Sequence, residues 1–265
     1  MPLPPDYHVH TEWSWDAARG DMERSCGRAL ELGLPAIAFT EHAEWETVHE
    51  GQHSVDIAGY HEAVARCRAK FKELRILSGV EFGEPHWHPE ETARVIAAGP
   101  LERVLGSIHV VHLGGDVVDA SQFRFRPEAE HAKAVREYFH EVLALVESTQ
   151  PFEILAHIDY SKRYWPASLA PYREEDFEEE LRAILVALVR RGAVLEANTT
   201  RGEEGKLCPG PTVLRWWHEV GGAAVSFGSD AHEPDKIAAS FEQAAQMVEA
   251  AGFKPAADPL AFWRR

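Results

Sequence analysis

Short apolar runs alternate with longer amphipathic stretches along the whole chain, and nearly every apolar run ends in a polar, chemistry-bearing cluster. Residues 7–10, 36–40, 75–82, 103–111, 152–158, 193–198 and 223–228 are short, apolar and bounded by turn residues, which predicts seven strands. The stretches between them carry helical spacing with start and stop signals. Residues 16–32 place Met22, Ala29 and Leu30 among the apolar positions and stop at Gly33. Asp56 is the predicted N-cap of a helix reaching Leu74, and a helix over 89–98 ends at Gly99-Pro100. Further helices are predicted over 127–148, over 174–191 with Gly192 as stop, from Pro209-Gly210-Pro211 to about Val220, and over 234–251 with Gly252 as stop. Residues 114–126 form a longer excursion between the fourth strand and its helix.

Strand-helix alternation predicts parallel strands with right-handed crossovers. An open doubly wound sheet and a closed barrel both satisfy that pattern. Closure is favoured by the side chains at the strand ends. Asp6-Tyr7-His8-Val9-His10 lies on the first strand, and Gly228-Ser229-Asp230-Ala231-His232 ends the last. Edge strands of an open sheet would hold these groups far apart, whereas a ring brings them together. No linker, repeat or low-complexity tract interrupts the pattern, so one α/β domain over residues 1–265 is expected.

The chain is 45% hydrophobic, enough for a substantial core, and no apolar run approaches the roughly 20 residues that cross a bilayer. The start, Met-Pro-Leu-Pro-Pro, has neither a basic nor an apolar signal region. Three cysteines, Cys26, Cys67 and Cys208, form no C-x-x-C pair, so a thiolate zinc site or disulfide framework is not expected and a reducing cytoplasm fits best. A net charge of −16 opposes binding to nucleic acid or to an anionic membrane and favours a small substrate. The oligomeric state stays open.

The histidines and carboxylates change the picture most. His8 and His10 are two apart on a strand and so face the same side, as one ion requires. Thr40-Glu41-His42, Gly79-Val80-Glu81, Gly106-Ser107-Ile108-His109 and Ala156-His157-Ile158-Asp159 end the intervening strands. Any one cluster is a weak signal, and the combination is strong. Imidazole and carboxylate without cysteine suit Zn, Mn or Fe. His49, His53, His61, His131, His140 and His218 fall in loops or helices and are assigned no role.

In these motifs, in this order, the chain resembles the polymerase-and-histidinol-phosphatase (PHP) superfamily, and within it the monofunctional histidinol-phosphatase branch. Asp16 and Glu196-Ala197-Asn198-Thr199 complete the resemblance, which spans essentially the full length. It implies a distorted seven-stranded (β/α) barrel and a trinuclear metal site. Carried onto this chain, one metal takes His8, His10, Glu81 and Asp230; a second shares Glu81 and takes His109 and His157; a third takes Asp16, His42 and His232. A carboxylate shared by two ions holds them about 3.5–4 Å apart, and a water between them ionises near neutral pH to supply a bridging hydroxide for phosphoester hydrolysis. Many members carry H-x-H-T-H after the first strand, whereas here Glu12 follows Thr11.

The resemblance implies a metal-dependent phosphomonoesterase, with histidinol phosphate as leading substrate and histidine biosynthesis as pathway. Another small ester, such as a nucleotide or sugar phosphate, is the nearest rival; a nuclease module and a non-catalytic metal-binding module are more distant. Glu81, Asp230 and Arg163 are the candidate catalytic residues. Arg163 leads the candidate phosphate ligands, since a basic residue follows the fifth-strand histidine in this branch, with Arg201, Lys162 and Lys206 behind it. His86 and His88 lie just past Glu81 and are candidate substrate contacts, and Glu44 and Glu46 could attract a cationic substrate. Trp13 and Trp15 flank the first metal loop, and Asp159 is a candidate to orient a ligand.

Overall fold

The computed structural model describes residues 3–46 and 53–265; His49 lies outside the described residues. The strands are β1 (Asp6–Val9), β2 (Ala36–Ala43), β3 (Arg75–Gly83), β4 (Arg103–Ser107), β5 (Val110–Leu113), β6 (Asp116–Asp119), β7 (Ile154–Leu155), β8 (Val194–Arg201), β9 (Lys206–Cys208), β10 (Ala224–Gly228) and β11 (Trp263–Arg264). The helices are α1 (Met22–Glu31), α2 (Ile57–Lys70), α3 (Pro89–Ala98), α4 (Glu128–Glu147), α5 (Glu178–Arg191), α6 (Pro211–Glu219) and α7 (Phe241–Ala250).

The main sheet runs β1-β2-β3-β4-β7-β8-β10-β11, with β9 beside β8. Every pairing from β1 to β10 along this path is parallel. These are the seven strands that the hydrophobic pattern predicts. The sheet curves until its ends meet: Val9 bridges Ala231 in parallel, His10 N donates to Ala231 O at 2.9 Å, and Asp230 N donates to His8 O at 2.7 Å. That junction lies at the carboxyl ends of the strands. Lower down, β11 pairs antiparallel with β10, and the Tyr7 hydroxyl donates to Leu260 O at 2.5 Å. The C-terminal segment thus fills the gap where the first and last parallel strands part, as expected for a distorted barrel.

The interior is layered. Tyr7, Ala36, Ala38, Leu77, Leu105, Ile154, Val194 and Ala224, with Ala156, make one buried cluster drawn from all seven strands and capped by Leu260 and Phe262. Side chains two apart share a face. The layers above therefore receive Thr40 and His42 on β2, Glu81 on β3, Glu196 and Asn198 on β8, and Asp230 past β10. On β1 a register shift between Asp6 and Val9 lets Tyr7 join the lower layer while His8 and His10 rise into the upper one. Two larger clusters pack the outer faces of the strands against the helices, for example Phe39 with Tyr60 and Val64, and Leu195 with Leu185 and Trp217.

Several boundaries differ from the sequence pattern: the fifth strand shortens to Ile154–Leu155, the helix after Asp56 ends at Lys70, the helix over 174–191 opens as a 3-10 turn, and three others shift further. The first helix starts at Met22, because the Asp21 side chain caps it by accepting from Arg24 N. The fourth strand ends at Ser107, and the excursion is an antiparallel β5–β6 hairpin followed by a 3-10 turn, Ala120–Phe125. Gly114 and Gly115, at φ 68° and 95°, form its two-residue turn, in which both positions need positive φ. The last helix starts at Phe241, after a 3-10 turn at Pro234–Lys236 and left-handed Ala238 and Ser240.

Candidate metal centre

The nine candidate ligands, spread from His8 to His232, converge at the carboxyl ends of the parallel strands. His8 Nε2 lies 3.0 Å from His10 Nε2, and these nitrogens lie 3.2 and 3.3 Å from Glu81 Oε2. Asp230 Oδ1 closes the group, 3.7 Å from His8 Nε2 and 3.5 Å from His10 Nε2. Ligand atoms about 2.0–2.2 Å from a tetrahedral zinc ion sit about 3.3–3.6 Å apart, so the four atoms have the spacing an ion needs. The other oxygen, Glu81 Oε1, lies 2.8 Å from His157 Nε2 and 3.5 Å from His109 Nε2, which are 3.4 Å from each other. The third group joins Asp16 Oδ2 to His232 Nε2 at 3.0 Å and to His42 Nε2 at 3.5 Å.

The donor chemistry fits metal ions. Glu81 Oε2 is buried with no hydrogen bond, although nitrogens of His8, His10 and His42 approach it to 3.2, 3.3 and 3.2 Å. Such convergence without hydrogen-bond geometry is what a shared carboxylate ligand shows. Two candidate ligands hold backbone in the left-handed region, His157 at φ 20° and Asp230 at φ 52°, the kind of strain that collects at functional sites.

Carboxylates behind the imidazoles fix their orientation. His8 Nδ1 meets Glu196 Oε1 at 2.6 Å, and His157 N donates to Glu196 Oε2 at 2.8 Å. Gly228 makes room for this contact, since a Cβ there would sit 2.1 Å from Glu196 Oε1. His109 Nδ1 meets Glu44 Oε1 at 2.5 Å. His10 Nδ1 meets Ser14 Oγ at 3.0 Å, and that hydroxyl donates to Glu41 Oε2 at 2.6 Å. Sequence reasoning assigns Glu41, Ser14 and Glu196 no such role and reads Glu44 as a substrate attractor. The signal available for Glu196 and Glu44 is period two, with Glu196 two residues after inward Val194 and Glu44 two after His42.

Charge follows from these contacts. Burial opposes ionisation of Glu81, but His8 and His109 hold its carboxyl well below the usual range. Burial pulls the His42 imidazole down, and Asp16 and Glu44 outweigh it, raising it to about 10. His8, with Glu196 and Glu81, and His109, with Glu44 and Glu81, are likewise held up against burial. His10 moves the other way, pushed to about 3 by burial and then by His42 and His232. Ions bind neutral imidazole, so an ion held by these groups would expel the protons on His8, His42 and His109. Apparent zinc affinity is expected to fall on acidification, about tenfold per pH unit for each proton displaced. Zinc titrations at about pH 6 and pH 8 check this, and equal affinities at both would contradict it.

A cavity of about 360 Å³ opens over the ligands, lined among others by His42, His109, His232, Asp230 and Arg163. Arg163 is buried; its Nη2 donates to Asp230 Oδ2 at 2.9 Å and to Asn198 Oδ1 at 2.6 Å, and its guanidinium lies 4.9 Å from the Tyr160 ring centre. Trp15 lines the same cavity and donates from Nε1 to Glu44 Oε2 at 3.1 Å. Glu46, Asp119, Tyr160 and Tyr164 complete the acidic and aromatic wall. Trp13 instead packs against the outer core.

The other candidate contacts are already paired with protein groups. Lys162 Nζ sits 3.0 Å from Glu174 Oε1 and 3.4 Å from Asp159 Oδ2, so Asp159 neutralises a lysine rather than orienting a ligand. Arg201 Nε donates to Glu204 Oε1, while Arg201 Nη1 and Lys206 Nζ donate to Arg163 O at 2.7 and 3.2 Å, bracing that residue from behind. His86 pairs with Glu141 at 3.2 Å and His88 with Glu46 at 3.6 Å.

Imidazoles and carboxylates gathered over the carboxyl ends of parallel strands, with a buried arginine beside them, make clusters able to hold metal ions. The chain belongs to the PHP domain family, whose model matches residues 6–200. Over 252 residues it is 29% identical to a Clostridium acetobutylicum protein named "probable histidinol-phosphatase", covering 94% of each chain. It is 28% identical over 253 residues to the histidinol-phosphatase of Lactococcus lactis, covering 94% of this chain and 91% of that one. The crystal structure of histidinol phosphate phosphatase from Lactococcus lactis, complexed with zinc, L-histidinol and phosphate, superposes with a TM-score of 0.82 at 25% identity and covers 94% of each chain.

Proposed function

We infer that this chain is a metal-dependent phosphomonoesterase that hydrolyses L-histidinol phosphate to L-histidinol and phosphate. The observation that carries the reading is Glu81, a buried carboxylate whose two oxygens face two groups of imidazoles beneath a cavity that holds Arg163. Bound divalent ions supply Lewis acidity, which lowers the pKa of water and takes up phosphoryl charge. His8, His10, Glu81 and Asp230 would hold one ion, Glu81, His109 and His157 a second, and Asp16, His42 and His232 a third, with zinc, manganese or iron suited to the donors.

The remaining work falls to this chain's own groups. Asp230 divides its labour, with Oδ1 toward His8 and His10 and Oδ2 toward Arg163. Arg163, held by Asp230, Asn198 and the carbonyl braces, offers its guanidinium to phosphoryl oxygens, where a fixed cation stabilises charge that grows toward the transition state. Glu44 and Glu196 each bind a ring Nδ1, leaving Nε2 of His109 and His8 directed into the site. Trp15 and Tyr160 wall the cavity against bulk water, and Glu44, Glu46 and Asp119 give it an acidic side. Phosphate at the cationic floor with a substrate ammonium near the acidic wall suits histidinol phosphate better than a nucleotide or a sugar phosphate. We read the chain as one cytoplasmic domain over residues 1–265 that needs no nucleic acid; no helix among the described residues is long and apolar enough to cross a membrane. The test is kcat/KM for histidinol phosphate, a nucleoside monophosphate, a sugar phosphate and an aryl phosphate. A preference of about 100-fold or more for histidinol phosphate is expected, the discrimination a site built for polar groups can supply. Equal or better turnover of the others would discard the substrate and keep the chemistry.

A further inference from the structure

Glu84, the residue after β3, takes no part in the metal groups above, yet it is buried and holds a left-handed backbone at φ 45°. A non-glycine residue in that region is uncommon and persists where its surroundings over-determine it. The Glu84 carbonyl accepts from Trp87 N at 3.0 Å, and its amide and carboxyl bond only main-chain groups of the 107–110 turn. Glu84 N donates to Ser107 O at 3.1 Å. Its carboxylate Oε1 accepts from His109 N at 2.5 Å and from Val110 N at 3.0 Å. Oε2 is buried without a hydrogen bond. Glu84 therefore grips both sides of Ile108, where the chain leaves the barrel at Ser107 and enters the hairpin at Val110. Burying a carboxyl group is unfavourable unless its oxygens find hydrogen-bond donors, as Oε1 does here.

We propose that Glu84 is a positioning residue that sets the backbone of His109 so that its imidazole reaches the second metal group. Two carboxylates then act on the same histidine. Glu84 fixes where the His109 main chain sits, and Glu44 on Nδ1 fixes how the ring turns. Nε2 is left 3.5 Å from Glu81 Oε1 and 3.4 Å from His157 Nε2. Without the Oε1 clamp, the turn at 107–110 loses two of the bonds that hold it, and His109 can withdraw while His157 and Glu81 stay in place. The inference rests on the metal reading of His109, so its test reads metal directly.

The variants are Glu84→Gln, which keeps an acceptor oxygen at the same reach, Glu84→Asn, which is at ease at positive φ but too short, and Glu84→Gly, which removes both the strain and the clamp. Zinc stoichiometry and affinity are measured by competition with a chromophoric chelator, beside the melting temperature. Glu84→Asn and Glu84→Gly are expected to bind one zinc about 10–100-fold more weakly, the usual effect of losing an outer partner of a ligand, with the remaining zinc held as in wild type. Glu84→Gln is expected to stay within about threefold of wild type, because the amide oxygen can still accept. A merely structural role would lower the melting temperature of the Glu84→Asn and Glu84→Gly proteins and leave zinc affinity unmoved, which would overturn the proposal. So would a folded Glu84→Gln that loses the same ion. A wild-type chain that binds no zinc would overturn the metal reading itself, a result the wild-type titration separates from failure of the clamp.

Discussion

Alanine at position 81 is expected to loosen two metal ions together and to lower phosphatase activity on the order of 10³-fold or more. The reason is that one side chain serves two groups: Oε2 faces His8 and His10, and Oε1 faces His157 and His109. The neighbouring carboxylates Glu196 and Glu44 already have ring partners, His8 and His109. Removing Glu81 also takes away one of the anions that hold the His8 and His109 imidazoles up, leaving Glu196 and Asp230 beside His8 and Glu44 beside His109. Elemental analysis of the purified variant reads the result. A Glu81→Ala protein with the full wild-type ion count would remove the shared-carboxylate assignment.

Replacing Arg163 with alanine is expected to raise KM for phosphate esters by about 10–100-fold, the worth of a charge-assisted contact, with the ion count unchanged. Retention of metal follows from the division of Asp230. Its Oδ2 faces the guanidinium, and its Oδ1 faces His8 and His10. Losing Arg163 therefore frees the oxygen that the first metal group does not use. Lysine at the same position should recover part of the loss, as a point charge without the planar fork. Michaelis parameters and metal analysis of the two variants decide the point; metal lost from Arg163→Ala would mean that the arginine holds Asp230 in place before it binds substrate.

The parallel strands and the convergence of the candidate ligands were legible because strand parity is written in the sequence. Ala36 and Ala38 lead by twos to Thr40 and His42, and Leu77 and Gly79 lead to Glu81, so the apolar layer and the polar layer above it share one face. Helix stops were legible where glycine takes positive φ, as at Gly192 and Gly252. Less legible was whatever depends on a distant partner. Lys162 reads as a rim cation until Glu174 and Asp159 are seen beside it, and Arg201 until Glu204 and the carbonyl of Arg163 are. The plug formed by Leu260 and Phe262 has no local signature, since its meaning lies in the gap between β1 and β10. Glu84 looks like an ordinary loop acid three residues after Glu81, and only its bonds to His109 and Val110 distinguish it.

Everything above turns on chemistry occurring at the metal groups of the barrel mouth. The decisive experiment is phosphate release from histidinol phosphate by chelator-stripped protein as zinc is returned in steps, with bound zinc counted at each step. Negligible release is expected from the stripped protein, with activity that rises only as the groups sharing Glu81 fill. Undiminished release without metal, or a fully loaded protein that releases no phosphate from any ester, would contradict this reading.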